Sequence, residues 1–135
     1  MDGERNAAHR MLEDDIAAQV LGIQLQRAAG GSATLTMTVT GEMVNGHYLA
    51  HGGYLFAFAD TAFAAACNSY GPVTVASGAE VSFITPAHVG DQLTAVATER
   101  VRYGRNGIYD VTVYRNDAPQ DVVLEFRGRS RTIER

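Results

Sequence analysis

Asp60 is the only acid within residues 54–67, YLFAFADTAFAAAC. If that run is helical, its neighbours one turn away are Phe56, Phe63 and Ala64. A carboxylate in such company is costly to bury without compensation. A hydrogen-bond donor, water in a cleft or a raised pKa would supply it. A carboxylate so placed suits general-base or nucleophilic chemistry. The competing reading is a structural hydrogen bond to nearby backbone.

His51-Gly52-Gly53 leads into the same run. The first N–H groups of a helix have no partner inside it and point outward. The helix dipole adds about half a positive charge there. Glycines let a ligand approach closely, so this junction suits an oxyanion; a plain loop-to-helix junction has the same sequence. Gly52 and Asp60 lie eight residues apart, about 12 Å along a helix. A reacting carbonyl needs both groups at roughly 3 Å. If both act on it, they come from two chains related by a two-fold axis.

Asn45 stands in a polar loop before the glycines. It suits either a hydrogen bond to a carbonyl or water, or an Asx-type turn before Gly46. His47 and His51 lack a third ligand at a recognisable spacing, so no metal is expected. His51 also suits a helix cap. Cys67, the one cysteine, excludes an internal disulfide and reads as a small hydrophobe. No GxSxG elbow or GxxxxGK[ST] loop is present, and no cofactor is expected.

All the basic side chains other than histidine are arginines, and eight of the 11 fall from Arg100 onward. Arg100 and Arg102 share one strand face, as do Arg127, Arg129 and Arg131. Arg105 sits in a Gly-flanked turn, YGRNG. The arginine fork suits phosphate, and Arg105 is the favoured contact; a solvated convex face is the alternative.

The elements that must position these residues follow from period and punctuation. Residues 7–21 place Ala8, Met11, Leu12, Ile16, Val20 and Leu21 near helical spacing, predicting one amphipathic helix that ends near Gly22. Residues 23–29 and 32–39 read as a hairpin joined at Gly30-Gly31, with Ala33, Leu35, Met37 and Val39 on one face. Residues 41–53 are loop. Residues 54–67 are apolar nearly all round, predicting a buried helix. Four strand-like runs follow near 73–85, 91–103, 107–116 and 120–132. The expected architecture is α+β: an antiparallel sheet of about six strands around one long helix, in one domain over residues 1–135.

Net charge −4 and a pI near 5.5 argue against nonspecific nucleic-acid binding. The N-terminal residues lack a signal-peptide pattern, and no run of 18 apolar residues appears. A cytoplasmic protein without membrane or nucleic-acid partners is the expectation.

The segment NGHYLAHGGYLFAFADTAFAAACNS resembles the helix region of PaaI-type hotdog thioesterases of phenylacetate catabolism. VSFITPAHVGDQLTA resembles that family's strand-turn-strand, and GIYDVTV and LEFRGRSRTI its last two strands. The likeness runs from about residue 7 to the C-terminus. HGG followed by ADTA is its specific signature; FxxP followed by GD is shared across hotdog enzymes. The resemblance implies a sheet wrapped round one helix, and dimers pairing into a tetramer with active sites between subunits.

It also implies acyl-CoA thioester hydrolysis, with an aryl-acetyl-CoA as substrate. The catalytic aspartate falls on Asp60 and the amide that polarises the carbonyl on Gly52. Asn45 and His51 would arrange the acyl group and water. Gly53, Tyr54, Thr61 and Arg105 are the expected substrate contacts. Tyr54, with Tyr48 and Leu49, is read as a loop residue bearing on acyl preference. Two alternatives stay open: a hotdog hydratase or dehydratase, which pairs a histidine with an acid, and a non-catalytic acyl-CoA binding module.

Overall fold

Residues 54–67 form a helix, as their Ala, Leu and Phe content favours. In the computed structural model, which describes residues 5–133, it begins at Gly52. The order is α1 (Ala7–Glu13), α2 (Ile16–Leu21), β1 (Gln24–Ala29), β2 (Ser32–Thr38), a 3-10 turn (Gly41–Met43), α3 (Gly52–Cys67), β3 (Thr74–Phe83), β4 (Gln92–Tyr103), β5 (Asn106–Arg115) and β6 (Ala118–Thr132). The strands make one antiparallel sheet in the order β1-β2-β4-β5-β6-β3. This is the architecture expected: a sheet wrapped around one long helix. β3 follows α3 yet lies at the far edge, paired only with β6.

The sheet presents alternate residues to α3. Ala33, Leu35 and Met37 of β2 are buried, as are Leu93, Ala95 and Ala97 of β4 and Val111 and Val113 of β5. Phe58 and Phe63 are the helix's largest buried side chains, each worth about 1.5–3 kcal/mol of burial. Phe63 packs edge-on to Tyr109 and tilted on Phe126, at 5.6 and 5.7 Å between centroids. Gly128 makes room for it: a Cβ there would meet the Phe63 ring at 2.8 Å.

Two expectations need correction. The N-terminal helix is two helices. Asp14 ends α1, and Asp15 caps α2 by accepting the Ala18 N–H at 2.9 Å. An Asp at a cap outweighs helical periodicity when its side chain satisfies a free N–H. The chain turns there, so Ile16 and Val20, 68% and 79% exposed, leave the apolar face. Secondly, α3 is covered on one side only. Gly53 and Tyr54 are exposed, and Ala57, Asp60, Thr61 and Ala64 are half-buried. Tyr54 is a helical residue, not a loop residue. Among the described residues, no helix is long and apolar enough to cross a membrane.

Candidate functional site

The loop before α3 is pinned by backbone bonds. Ala50 N–H donates to the Ala87 carbonyl at 2.8 Å and His51 N–H to Met43 at 2.7 Å. His51 is the N-cap, its Nδ1 accepting the Gly53 N–H at 3.0 Å. Its carbonyl accepts from Tyr54 and Leu55. The Gly52 N–H therefore stands alone in the first turn, with no partner among the described residues. It borders a pocket of about 280 Å³ lined by Asn45, Leu49, Leu55, Phe83 and Pro86. The Phe83 ring lies so close that a Cβ on Gly52 would meet it at 3.2 Å.

Asn45 makes the turn that was one of the two readings given to it. Its Oδ1 accepts from His47 N–H at 2.8 Å and Leu49 N–H at 3.2 Å, holding an Asx-type turn. Its Nδ2 has no partner among the described residues, and the residue lines the pocket beside Gly52. The amide can thus both shape the loop and donate to a ligand.

Asp60 is half-buried and has no hydrogen bond or ion pair among the described residues. The structural bond weighed as its alternative role is not made by any described residue. Burial pushes its carboxyl above the ordinary carboxylate range, and the negative charge of Asp15 adds to the shift. Asp60 does not line the Gly52 pocket. Within one chain the amide and the carboxylate stay apart, as the helix length requires.

The other predicted contacts divide between places. Gly53, Tyr54 and His51 line a second, apolar cavity of about 570 Å³, with Ala17, Val20 and Leu21 of α2. The His51 and Tyr54 rings meet edge-on at 6.2 Å. Thr61 donates its hydroxyl to the Ala57 carbonyl one turn back at 2.7 Å. Arg105 lies at the other end of α3, in a small pocket with Cys67. Burial raises the Cys67 thiol to about 12, so at neutral pH it is a protonated core residue. Among the described residues no group of three His, Cys, Asp or Glu side chains is placed to hold a metal ion.

Four arginines of the strands, Arg100, Arg115, Arg127 and Arg129, are ion-paired. Arg127 grips Asp110 through both oxygens at 2.7 and 2.9 Å, Arg100 lies 3.5 Å from the same carboxylate, and Arg129 bonds Glu80. Arg115 bridges Asp91 and Asp121. The side chains of Arg100, Arg127 and Arg129 are 61%, 45% and 46% exposed, whereas that of Arg115 is 13% exposed.

Two residues near the site carried no role in the sequence. Phe83 belongs to the FxxP stretch, but its contact with Gly52 depends on where β3 ends. Asp15 affects Asp60 through space; the Asp14-Asp15 pair inside a helical pattern was the available signal of a cap.

The Thioesterase superfamily matches residues 47–120. Acyl-coenzyme A thioesterase PaaI of Escherichia coli K12 is 46% identical over 126 residues, 93% of this chain and 89% of that protein. The solved structure of E. coli PaaI, from the phenylacetic acid degradation operon, superposes with a TM-score of 0.89 at 45% identity, covering 94% of this chain and 91% of that one. A variant of the phenylacetic acid degradation protein PaaI from Thermus thermophilus superposes at 0.82, with 31% identity over 88% of this chain and all of that one, 100%.

Proposed function

The chain belongs to the thioesterase superfamily, and from that premise we propose that it hydrolyses the thioester of an aryl-acetyl-CoA, phenylacetyl- or hydroxyphenylacetyl-CoA in type, to the free acid and CoA. The unpartnered Gly52 N–H at the head of α3 is the observation that carries the reading. It offers a fixed donor and the positive helix end to a thioester carbonyl whose oxygen gains charge during attack. Because His51 already occupies the Gly53 N–H, Gly52 is the donor left for substrate.

Asp60 supplies the second half of the chemistry. Having no partner among the described residues, its carboxylate is available to accept a proton from water or to attack the carbonyl carbon. If it attacks, an acyl anhydride forms, the thiolate leaves, and water then cleaves the anhydride. Since Asp60 lies outside the Gly52 pocket of its own chain, each site is assembled from Gly52 of one subunit and Asp60 of another. The exposed edge strand β3 supports such pairing, because its outer backbone groups are free to extend the sheet into a second copy. The open face of α3 around Ala57 and Asp60 supports it as well. Asn45, through Nδ2, and His51, through its cap, hold the acyl group and the loop. Gly53, Tyr54 and Thr61 border the face where the second subunit would close the site.

Thiol release from a panel of CoA esters tests the reading, with a thiol-reactive dye as reporter. The panel holds phenylacetyl, hydroxyphenylacetyl, benzoyl, short-chain and long-chain esters. Fast release from aryl-acetyl esters, lost in Asp60→Ala, is expected. An Asp60→Ala enzyme of undiminished activity refutes the assignment of that residue.

A further inference from the structure

One wall of the Gly52 pocket is the segment between β3 and β4, residues 84–91, ITPAHVGD. Ile84, Thr85 and Pro86 line the pocket together with Phe83. The same segment holds the loop that carries the amide, because the Ala87 carbonyl accepts the Ala50 N–H at 2.8 Å. Ala50 stands two residues before Gly52. Backbone bonds tie the ends of the segment. Ile84 N–H donates to the Val123 carbonyl at 2.8 Å, and Gly90 N–H to the Val39 carbonyl at 2.9 Å. Its middle includes a proline, which has no N–H, so the Pro86 carbonyl is the backbone group by which that residue can be held.

A single side chain holds that middle from outside the pocket. Arg115 donates from Nη1 to the Pro86 carbonyl at 2.6 Å and from Nη2 to the Thr85 hydroxyl. Nη1 also lies 3.2 Å from the Asp91 carboxylate, and Nε 3.0 Å from that of Asp121. The arginine fork is rigid and planar, so Thr85, Pro86 and Asp91 are kept at a fixed spacing. Arg115 is itself fixed by its hairpin. Asn116 and Asp117, at φ 55° and 58°, make the two-residue turn between β5 and β6. Asn116 donates its N–H to the Gln92 carbonyl at 2.7 Å, and its Oδ1 accepts the Gln92 N–H at 3.1 Å. The turn is thereby tied to the first residue of β4, next to Asp91.

We propose that Arg115 is a positioning residue of the active site: it holds residues 84–87 against the loop at 49–52, and so sets where the Gly52 amide and the Phe83 ring stand relative to the substrate carbonyl. This rests on the role given to Gly52 above. Arg115 does not line the Gly52 pocket, and it takes no part in bond making. It acts through Pro86 and Ala87 upon Ala50, and from Ala50 upon the first turn of α3. An exposed ion pair contributes little to a fold. This guanidinium, largely buried, joins the end of β5 to the one segment that both walls the pocket and anchors the amide loop. Misplacing a reacting group by about 1 Å can cost roughly a hundredfold in rate, so a small relaxation of the segment reaches the chemistry.

The test uses the full-length enzyme with Arg115→Ala, Arg115→Lys and, as control, Arg127→Ala, which breaks the two-bond ion pair with Asp110. Lysine keeps a charge beside Asp91, but one amine cannot replace the fork at Thr85, Pro86 and Asp91 together. In thiol release from the best aryl-acetyl ester, both Arg115 variants should lose about ten- to a hundredfold in kcat with KM nearly unchanged, the pattern of an interaction realised in the transition state. Arg127→Ala should keep the native kcat. In hydrogen–deuterium exchange without substrate, peptides over residues 49–53 should exchange about tenfold faster in both Arg115 variants, and at the native rate in the control. Peptides over residues 32–38 of β2 should keep the native rate throughout, which excludes a partly unfolded sample. Native exchange at 49–53 in Arg115→Lys, or a kcat loss as large in Arg127→Ala, overturns the proposal; the lysine variant decides alone if the alanine variant does not fold. Faster exchange with native kcat overturns the positioning role when Gly52→Pro is impaired. If Gly52→Pro is as active as the native enzyme, the reading of Gly52 has failed, and the proposal with it.

Discussion

Replacing Gly52 by proline isolates the one backbone N–H on which the proposed chemistry depends. Proline lacks that N–H and is well suited to the first helical position, where the group is unpaired anyway. His51, at φ −64° and ψ 132°, already has the extended backbone that a following proline demands. The remaining perturbation is steric: a Cβ at position 52 meets the Phe83 ring at 3.2 Å, so the ring must give by a few tenths of an ångström. Gly52→Ala imposes the same crowding and keeps the N–H, which makes it the reference. Loss of one preorganised oxyanion donor costs about 10²–10³ in kcat, roughly 2.7–4 kcal/mol. No hydrogen bond of the fold is lost, so the two variants should melt within a few degrees of each other. The assay is steady-state thiol release from the best aryl-acetyl ester, alongside thermal unfolding. A proline variant within about threefold of the alanine variant in kcat would refute the role given to this amide. For a chain of this length 1 kcal/mol corresponds to roughly 3–4 °C. A proline variant melting more than about 5 °C below the alanine variant would show that the N–H has a structural partner after all.

Asp60→Asn should lower kcat/KM by about 10²–10⁴ and yet stabilise the protein near neutral pH. The folded carboxyl sits above its ordinary range because of burial and Asp15, so the native state holds that proton more tightly than the unfolded one. The resulting stability is fully present below the ordinary carboxylate pKa of about 4 and is lost as pH climbs through the raised folded value. The gap in Tm between the Asp60→Asn variant and the native protein should therefore close in acid, and a variant less stable at pH 7 would contradict this. Asn68→Ala should cost about 2–4 kcal/mol in denaturant unfolding. Its buried amide donates to the Ala64 and Thr74 carbonyls, at 2.9 Å each, and accepts the Thr74 N–H at 3.0 Å. A cost below about 1 kcal/mol would mean that this link between α3 and β3 is dispensable.

Much of the architecture was legible in the residues. The all-apolar run 54–67 had to find cover, and the alternating strand at 32–39 had to show one face to it. Gly30 and Gly31, both at positive φ, turn the first hairpin where the Gly-Gly pair stood. The break between α1 and α2 was masked by periodicity, since one capping aspartate counts for little beside six regularly spaced apolar residues. The half-open face of α3 was hidden by composition: Gly53, Ala57 and Ala64 read as core, whether covered by the same chain or left uncovered by it.

The site divides along the same line. Residue type and spacing determined that Asp60 would be a carboxylate in apolar company, that a helix would begin at the glycines, and that about 12 Å of helix would separate the two. Those follow from covalent geometry and local periodicity, which act over a few residues. Only the tertiary structure decided that Asp60 has no partner among the described residues, that His51 takes the Gly53 N–H while none of those residues takes the Gly52 N–H, and that Phe83 closes on that glycine. It alone decided which arginines are neutralised, because the partners of Arg127 and Arg129 lie 17 and 49 residues away in sequence. A hydrogen bond or ion pair between distant strands depends on register and sheet order, set by burying the whole core at once, and no local pattern encodes it.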